Sequence, residues 1–213
     1  MINLLQGDSS QYKDPEVSPD GPTTTAPLDE ATAARNAKLV DKYAASLYDA
    51  TAADILTWAH EHAPGPLVVT LSMENTVLAE LSKQFLPGAD FLFLDTEYHF
   101  AETLEVADKV EQRYPDNRLV RATAQLSRAE QDEVYGPNLY RRNPTACCRM
   151  RKVEPLAVHM SPYVGWITGV RRDDGPTRVE APALSLDNTG RLKISPLVTW
   201  SLEDTEAFEE DND

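Results

Sequence analysis

Leu67-Val68-Val69-Thr70-Leu71, followed by Ser72-Met73-Glu74-Asn75-Thr76, decides the fold class. The first five residues are apolar or β-branched throughout, so both faces of the strand they form must be buried, as in a parallel sheet. Val77, Leu78, Leu81 and Phe85 then recur at helical spacing, with Ser72 placed to cap that helix. Phe91-Leu92-Phe93-Leu94 reads as a second buried strand that ends on Asp95-Thr96-Glu97. A helix with Phe100, Leu104, Ala107 and Val110 on one face follows, closed by Tyr114-Pro115, and Arg118-Leu119-Val120-Arg121 is a third, weaker strand. Strand, helix, strand, helix, strand predicts an α/β fold built on a doubly wound parallel sheet. Ligands of such sheets sit beyond the carboxyl ends of the strands, here residues 72–76 and 95–99.

Outward from this core, residues 28–48 are alanine-rich with Leu39, Tyr43 and Leu47 at helical spacing. A further helix starting near Thr51 carries Ile55, Leu56 and Ala59 as far as Pro64-Gly65, and the two helices read as a packing layer. Residues 1–27 hold Pro15, Pro19, Pro22 and Pro27 and read as a disordered N-terminal arm, leaving residues 28–213 as one domain. Downstream, Tyr163 to Val170 is a strand that empties into Arg171-Arg172-Asp173-Asp174-Gly175-Pro176-Thr177-Arg178. Residues 181–186 and 191–194 are short strands about the turn Asp187-Asn188-Thr189-Gly190, and Ser201 caps an acidic last helix. Thirty-five acidic against 20 basic residues leave a net charge of −15, which argues against nucleic-acid and anionic-membrane partners. There is no apolar run of membrane-span length and no visible signal peptide, and two neighbouring cysteines make no disulfide framework, so a reducing cytoplasm is expected. An anionic ligand must then be held by a local cluster of cations.

Two such clusters exist. Cys147-Cys148-Arg149-Met150-Arg151-Lys152-Val153-Glu154-Pro155-Leu156 contains the two cysteines of the chain with three cations close behind. Adjacent cysteines rarely bond to each other. They are either small buried hydrophobes or, with cations lowering the cost of ionisation, a pair of soft-metal ligands; the cations favour a metal site beside an anion site. Arg171, Arg172 and Arg178 form the second cluster, suited to bidentate contact with phosphate or sulfate, although Asp173 and Asp174 are placed to pair with them instead. Ser72, Met73, Glu74, Asn75 and Thr76 present backbone N–H groups and hydroxyls at a helix N-terminus, the arrangement of an anion site or of an ordinary cap.

In this order the segments resemble the phosphoadenylyl- and adenylyl-sulfate reductases of the adenine-nucleotide α-hydrolase-like (PP-loop) class, over residues 66–201. Residues 71–76 are similar to the modified PP-loop, and Leu94-Asp95-Thr96 with Tyr98-His99-Phe100 to the motif after the second strand. Residues 147–156 match the cysteine-pair segment, Gly169-Val170-Arg171-Arg172 through Thr177-Arg178 the arginine loop, and Ile194-Ser195-Pro196-Leu197 with Trp200-Ser201 the late signature. The resemblance implies a 4Fe-4S cluster on Cys147 and Cys148, adenylyl sulfate as substrate and a homo-oligomer, dimer or tetramer. The implied reaction is reduction to sulfite and AMP through an S-sulfocysteine that thioredoxin reduces. It places Ser72 to Thr76, Leu94, Asp95, Thr96, Arg171, Arg172 and Arg178 on the substrate. Lys152, four residues after Cys148, would act electrostatically between cluster and sulfate. His99 is left as structural and Trp200 as core. Asn75 stands where the family often has Asp, and a 4Fe-4S cube takes four thiolates where this sequence has two. The expectation is therefore a reductase body without its C-terminal catalytic segment. The alternatives are a PP-loop ATP pyrophosphatase or adenylyltransferase, disfavoured by the absence of glycine from residues 72–76, and a non-catalytic nucleotide-binding redox sensor.

Overall fold

The computed structural model describes residues 12, 13, 15, 25–74 and 76–212. In chain order the elements are α1 (Glu30–Leu47), α2 (Ala52–His62), β1 (Leu67–Leu71), α3 (Val77–Phe85), β2 (Asp90–Asp95), α4 (Ala101–Arg113) and β3 (Leu119–Thr123). Then come α5 (Arg128–Tyr135), α6 (Leu139–Arg142), α7 (Pro144–Cys148), a π-helical turn (Arg149–Val153), α8 (Glu154–His159), β4 (Gly165–Ile167), β5 (Leu184–Leu186), β6 (Leu192–Ile194) and α9 (Leu202–Asn212). The strands form one sheet in the order β3-β2-β1-β4-β6-β5, parallel except where β5 meets β6.

The period of two along each strand divides the core. Val69, Phe91 and Phe93 face one side with Ile55, Leu56, Val77, Leu78, Ala107 and Val110, which α2, α3 and α4 supply. Val68, Leu92 and Ala122 face the other with Tyr163, Leu156 and Met160, the last two at and just past α8. Each buried side chain of this size stabilises by about 1.5–3 kcal/mol, so covering both faces makes the near-continuous apolar runs of β1 and β2 necessary. β4 is wedged between β1 and β6, and a Cβ on Gly165 would lie 2.7 Å from Leu192 Cβ and 2.9 Å from Leu67 Cδ2. The strand order turns back between β1 and β4, which is the topological switch point where such sheets bind ligands. There Thr70 Oγ1 donates to the Ile167 carbonyl at 2.8 Å.

Two expectations change. Ser72 does not cap α3: the helix starts at Val77 with Thr76 in the cap position, and Met73 at φ 61° turns the intervening loop. The left-handed residue buries the Met73 side chain and leaves Ser72 exposed in the loop, its Oγ accepting from Glu74 N–H at 3.4 Å. Phe100 is 80 % exposed, because it takes the extended cap position of α4 and so leaves the helical phase of Leu104, Ala107 and Val110. The arm predicted for residues 1–27 falls mostly outside the described residues, but its end is tied down: the Ala26 carbonyl accepts from Arg191 Nη1 at 2.9 Å.

Candidate active site

A cleft of about 740 Å³ opens at the carboxyl ends of β1, β2 and β4. Its floor is Thr70, Leu71, Leu92, Leu94, Trp166 and Thr168, mostly apolar with two hydroxyls, a composition that suits a nucleoside. Of the residues expected from sequence to contact substrate, Ser72, Glu74, Leu94, Arg171 and Arg178 line it. Thr76 lies in a neighbouring polar cavity of about 250 Å³ with Glu80 and Tyr114. Asn75 lies outside the described residues. Asp95 and the buried Thr96 are used locally: Asp95 Oδ1 accepts from Glu97 N–H at 2.8 Å and Thr96 Oγ1 from Tyr98 N–H at 3.3 Å. His99 contacts the Leu94 carbonyl at 2.9 Å and the Phe93 ring, which accounts for it structurally.

The arginine loop splits. Arg171 Nε donates to Asp174 Oδ1 at 3.0 Å, and its Nη1 reaches Thr205 Oγ1 at 3.1 Å and the Ser201 carbonyl at 3.3 Å. Arg178 Nη1 donates to Asp174 Oδ2 at 2.9 Å. Partial burial opposes ionisation of Asp174, but the Arg171 N–H and both guanidiniums outweigh it and hold its carboxyl below the ordinary carboxylate range. One carboxylate thus shapes a pair of cations at the cleft wall. Arg172 turns elsewhere: its guanidinium stacks 3.8 Å from the Tyr48 ring centroid and donates to Asp49 Oδ1 at 2.7 Å and the Tyr48 carbonyl at 2.6 Å. It ties the loop to the end of α1 and does not line the cleft.

The cysteine pair ends α7 and leads straight into the π-helical turn. Pro155 explains that turn. It lacks an N–H and would crowd the carbonyl four residues back in a regular helix. Widening to the π form, with Glu154 N–H bonded to the Arg149 carbonyl, accommodates it. Cys147 is buried and Cys148 exposed. Burial and the neighbouring Cys148 push the Cys147 thiol up, with Arg151 and Lys152 opposing. Lys152 is exposed; the cation enclosed beside the pair is Arg151, which is 1 % exposed. Its Nε donates to Gln131 Oε1 at 2.9 Å and its Nη1 stands 3.4 Å from Glu97 Oε2, yet neither Nη nitrogen has a hydrogen-bond partner among the described residues. Gln131 Nε2 and Asp132 Oδ1 are likewise buried and unpartnered. Glu97 is held at φ 58°, a left-handed backbone rare outside glycine. That strain aims its carboxylate from the end of β2 at Arg151 and at the Arg128 N–H, 2.5 Å away. Among the described residues no group of three or more His, Cys, Asp or Glu side chains could hold a metal. The segment reaches the cleft through α8, whose Leu156 lines it.

Residues 66–213 match the family described as the phosphoadenosine phosphosulfate reductase domain. The chain belongs to that family. It is 45 % identical over 172 residues to the adenosine 5'-phosphosulfate reductase of Mycolicibacterium smegmatis, covering 80 % of this chain and 72 % of that one. With the enzyme of the same name from Streptomyces coelicolor it is 42 % identical over 185 residues, 86 % of this chain and 78 % of the other. A crystal structure of phosphoadenylyl-sulfate (PAPS) reductase from Candida auris, a phosphate complex, superposes with a TM-score of 0.70 at 23 % identity, over 82 % of this chain and 86 % of that one. That likeness establishes the α/β fold.

Within this reductase-family body, sequence reasoning missed Arg151 and the acidic wall of the cleft. Arg151 follows Cys147 by four residues, the same spacing that separates Lys152 from Cys148, and here it is the first cation of the two that is buried. Glu206 and Glu209 of α9 line the cleft although nothing in an acidic terminal helix marks which face will be enclosed. No helix among the described residues is long and apolar enough to cross a membrane.

Proposed function

We propose that this chain is the nucleotide-binding body of an adenylyl-sulfate reductase, acting in the cytoplasm as part of a homo-oligomer. The observation that carries the reading is the cleft at the switch point, with Arg171 and Arg178 on its wall and the cysteine-pair segment joined to it through α8. The guanidiniums suit the phosphate and sulfate of adenylyl sulfate, and the apolar floor at Leu92, Leu94 and Trp166 suits the adenosine. In the reaction a cysteine thiolate attacks the sulfuryl sulfur, the bond from sulfur to the phosphate oxygen breaks and AMP leaves. Thioredoxin's dithiol then reduces the S-sulfocysteine, releasing sulfite and becoming a disulfide. The attacking cysteine is neither Cys147 nor Cys148, which this reading gives to the cluster.

Cys147 and Cys148 fit one side of a 4Fe-4S cluster, which takes four thiolates, and would supply two of them. The fit rests on Arg151: a buried guanidinium with unpartnered nitrogens beside two cysteines awaits an anionic group, and thiolate-bound iron–sulfur centres carry negative charge. When bound, the cluster would supply that charge and a polarisable sulfur surface. Arg151 would balance it from the buried side and Lys152 from the exposed side.

Titration calorimetry of the chain with adenylyl sulfate tests the reading. Binding should occur in the cleft, and Arg178→Ala should weaken it, by about tenfold for one lost charge contact near a partly buried anion. Absence of binding, or release of pyrophosphate from ATP, would sink it.

A further inference from the structure

The cleft proposed for an anion is lined by more negative than positive charge. Glu74, Asp174, Glu206 and Glu209 face it against Arg171 and Arg178. Asp174 is spent on the two arginines. The carboxylates of Glu74, Glu206 and Glu209 have no hydrogen-bond or ion-pair partner among the described residues. Two of the three come from α9, and α9 is fastened in place. Arg171 Nη1 holds Thr205 and the Ser201 carbonyl, Trp200 packs on Phe208 with ring centroids 5.5 Å apart, and Arg113 Nη2 donates to the Asn212 carbonyl at 2.6 Å. An unpaired acidic wall fixed in an anion site does nothing for the affinity of the anion that belongs there. It penalises any ligand that brings more negative charge, which is how a site rejects a near relative of its substrate.

From this we infer that Glu206 and Glu209 are specificity-determining residues that set the cleft against nucleotides carrying a phosphate on the ribose 3′ oxygen. Resting on the reading of the cleft as the adenylyl sulfate site, the inference assigns the choice between that substrate and its 3′-phosphorylated relative to α9. The extra phosphate adds about 1.5 to 2 negative charges near neutral pH. Carboxylates on the wall of a cleft oppose it, and that opposition is screened over a Debye length of about 10 Å at 0.1 M salt. No third cation lines the cleft among the described residues to offset this, since Arg171 and Arg178 are taken by the phosphate and sulfate on this reading.

AMP and adenosine 3′,5′-bisphosphate differ by that phosphate alone and serve as stable probes. Calorimetry should find AMP bound more tightly by the parent chain. Glu206→Gln with Glu209→Gln should narrow the ratio of the two affinities by about fivefold or more, and raised salt should narrow the parent's ratio in the same direction. Glu203→Gln with Glu210→Gln removes equal charge from the same helix at residues that do not line the cleft, and should leave the ratio where it was. A parent that binds both probes with a ratio unmoved by the double change at Glu206 and Glu209, or moved equally by the control pair, overturns the inference alone. A parent that binds neither overturns the cleft's proposed role together with it.

Discussion

Two arginines are almost wholly enclosed in this molecule, and their surroundings have opposite characters. Arg191, 2 % exposed, sits at the start of β6 with every nitrogen in use. Nε donates to the Tyr163 carbonyl at 2.9 Å, Nη1 to Ala26 and Thr189 at 2.9 and 2.8 Å, and Nη2 to Ser161 at 3.4 Å. Arg151, equally buried, has one hydrogen bond and one loose ion pair. A buried cation costs several kcal/mol unless its donors are satisfied, so Arg191 is a structural joint and Arg151 is an incomplete one. The first holds the chain ahead of α1 to the sheet; the second keeps two buried nitrogens without a hydrogen-bond partner among the described residues.

That contrast can be broken by measurement. Arg191→Met should cost the most, about 3 kcal/mol of unfolding free energy in denaturant titration, because it strands several buried acceptors at once. A loss below about 1 kcal/mol would remove the distinction drawn here. The network continues through Tyr163, whose hydroxyl donates to Asp90 Oδ2 at 2.6 Å beside the Arg118 ion pair, and burial with Asp90 pushes that hydroxyl up to about 12. Burial opposes ionisation of Asp90, yet Arg118 and Tyr163 hold its carboxyl below the ordinary range. A carboxyl lowered by folding contributes stability above its unfolded value, and that stability is lost as pH falls through the folded one. The thermal midpoint should therefore drop below about pH 4, and Asp90→Asn should flatten that acid limb. An acid limb that Asp90→Asn leaves unaltered would take Asp90 out of the network. The smallest effect belongs to Arg151→Met. Unfolding free energy should stay within about 1 kcal/mol of the parent, since methionine fills the space and Glu97, partly exposed, keeps the Arg128 N–H. A loss as large as that of Arg191→Met would mean that Arg151 is a joint of the fold after all.

The same contrast explains what could be read from sequence. β1 and β2 were legible because burial on both faces forces apolar residues at every position, a constraint written locally. The helix starts at Thr51 and Ser201 were legible for the same reason: each cap accepts from a backbone N–H three residues on, at 3.1 and 3.0 Å. Arg172 was not legible, since its partners Tyr48 and Asp49 lie more than a hundred residues upstream and meet it only in the folded chain. Nor was the Ser72 loop, where burying Met73 decided against a helix start that Ser72 would otherwise have made. Arg151 and Lys152 are adjacent in sequence and opposite in burial, and only the phase of the helix separates them.

That phase is itself kept out of step. The π-turn before Pro155 is a one-residue slip in the helix's count: residues upstream keep time with the cysteine pair, and those downstream keep time with Leu156 on the sheet. A chain shorter by one residue at this point could run as plain α-helix up to the proline. It would leave Leu156 where it is and swing the two cysteines about 100° around the axis. Two clocks set one tick apart let a single helical run hold its apolar side to the sheet while presenting its thiols in a direction the sheet does not choose.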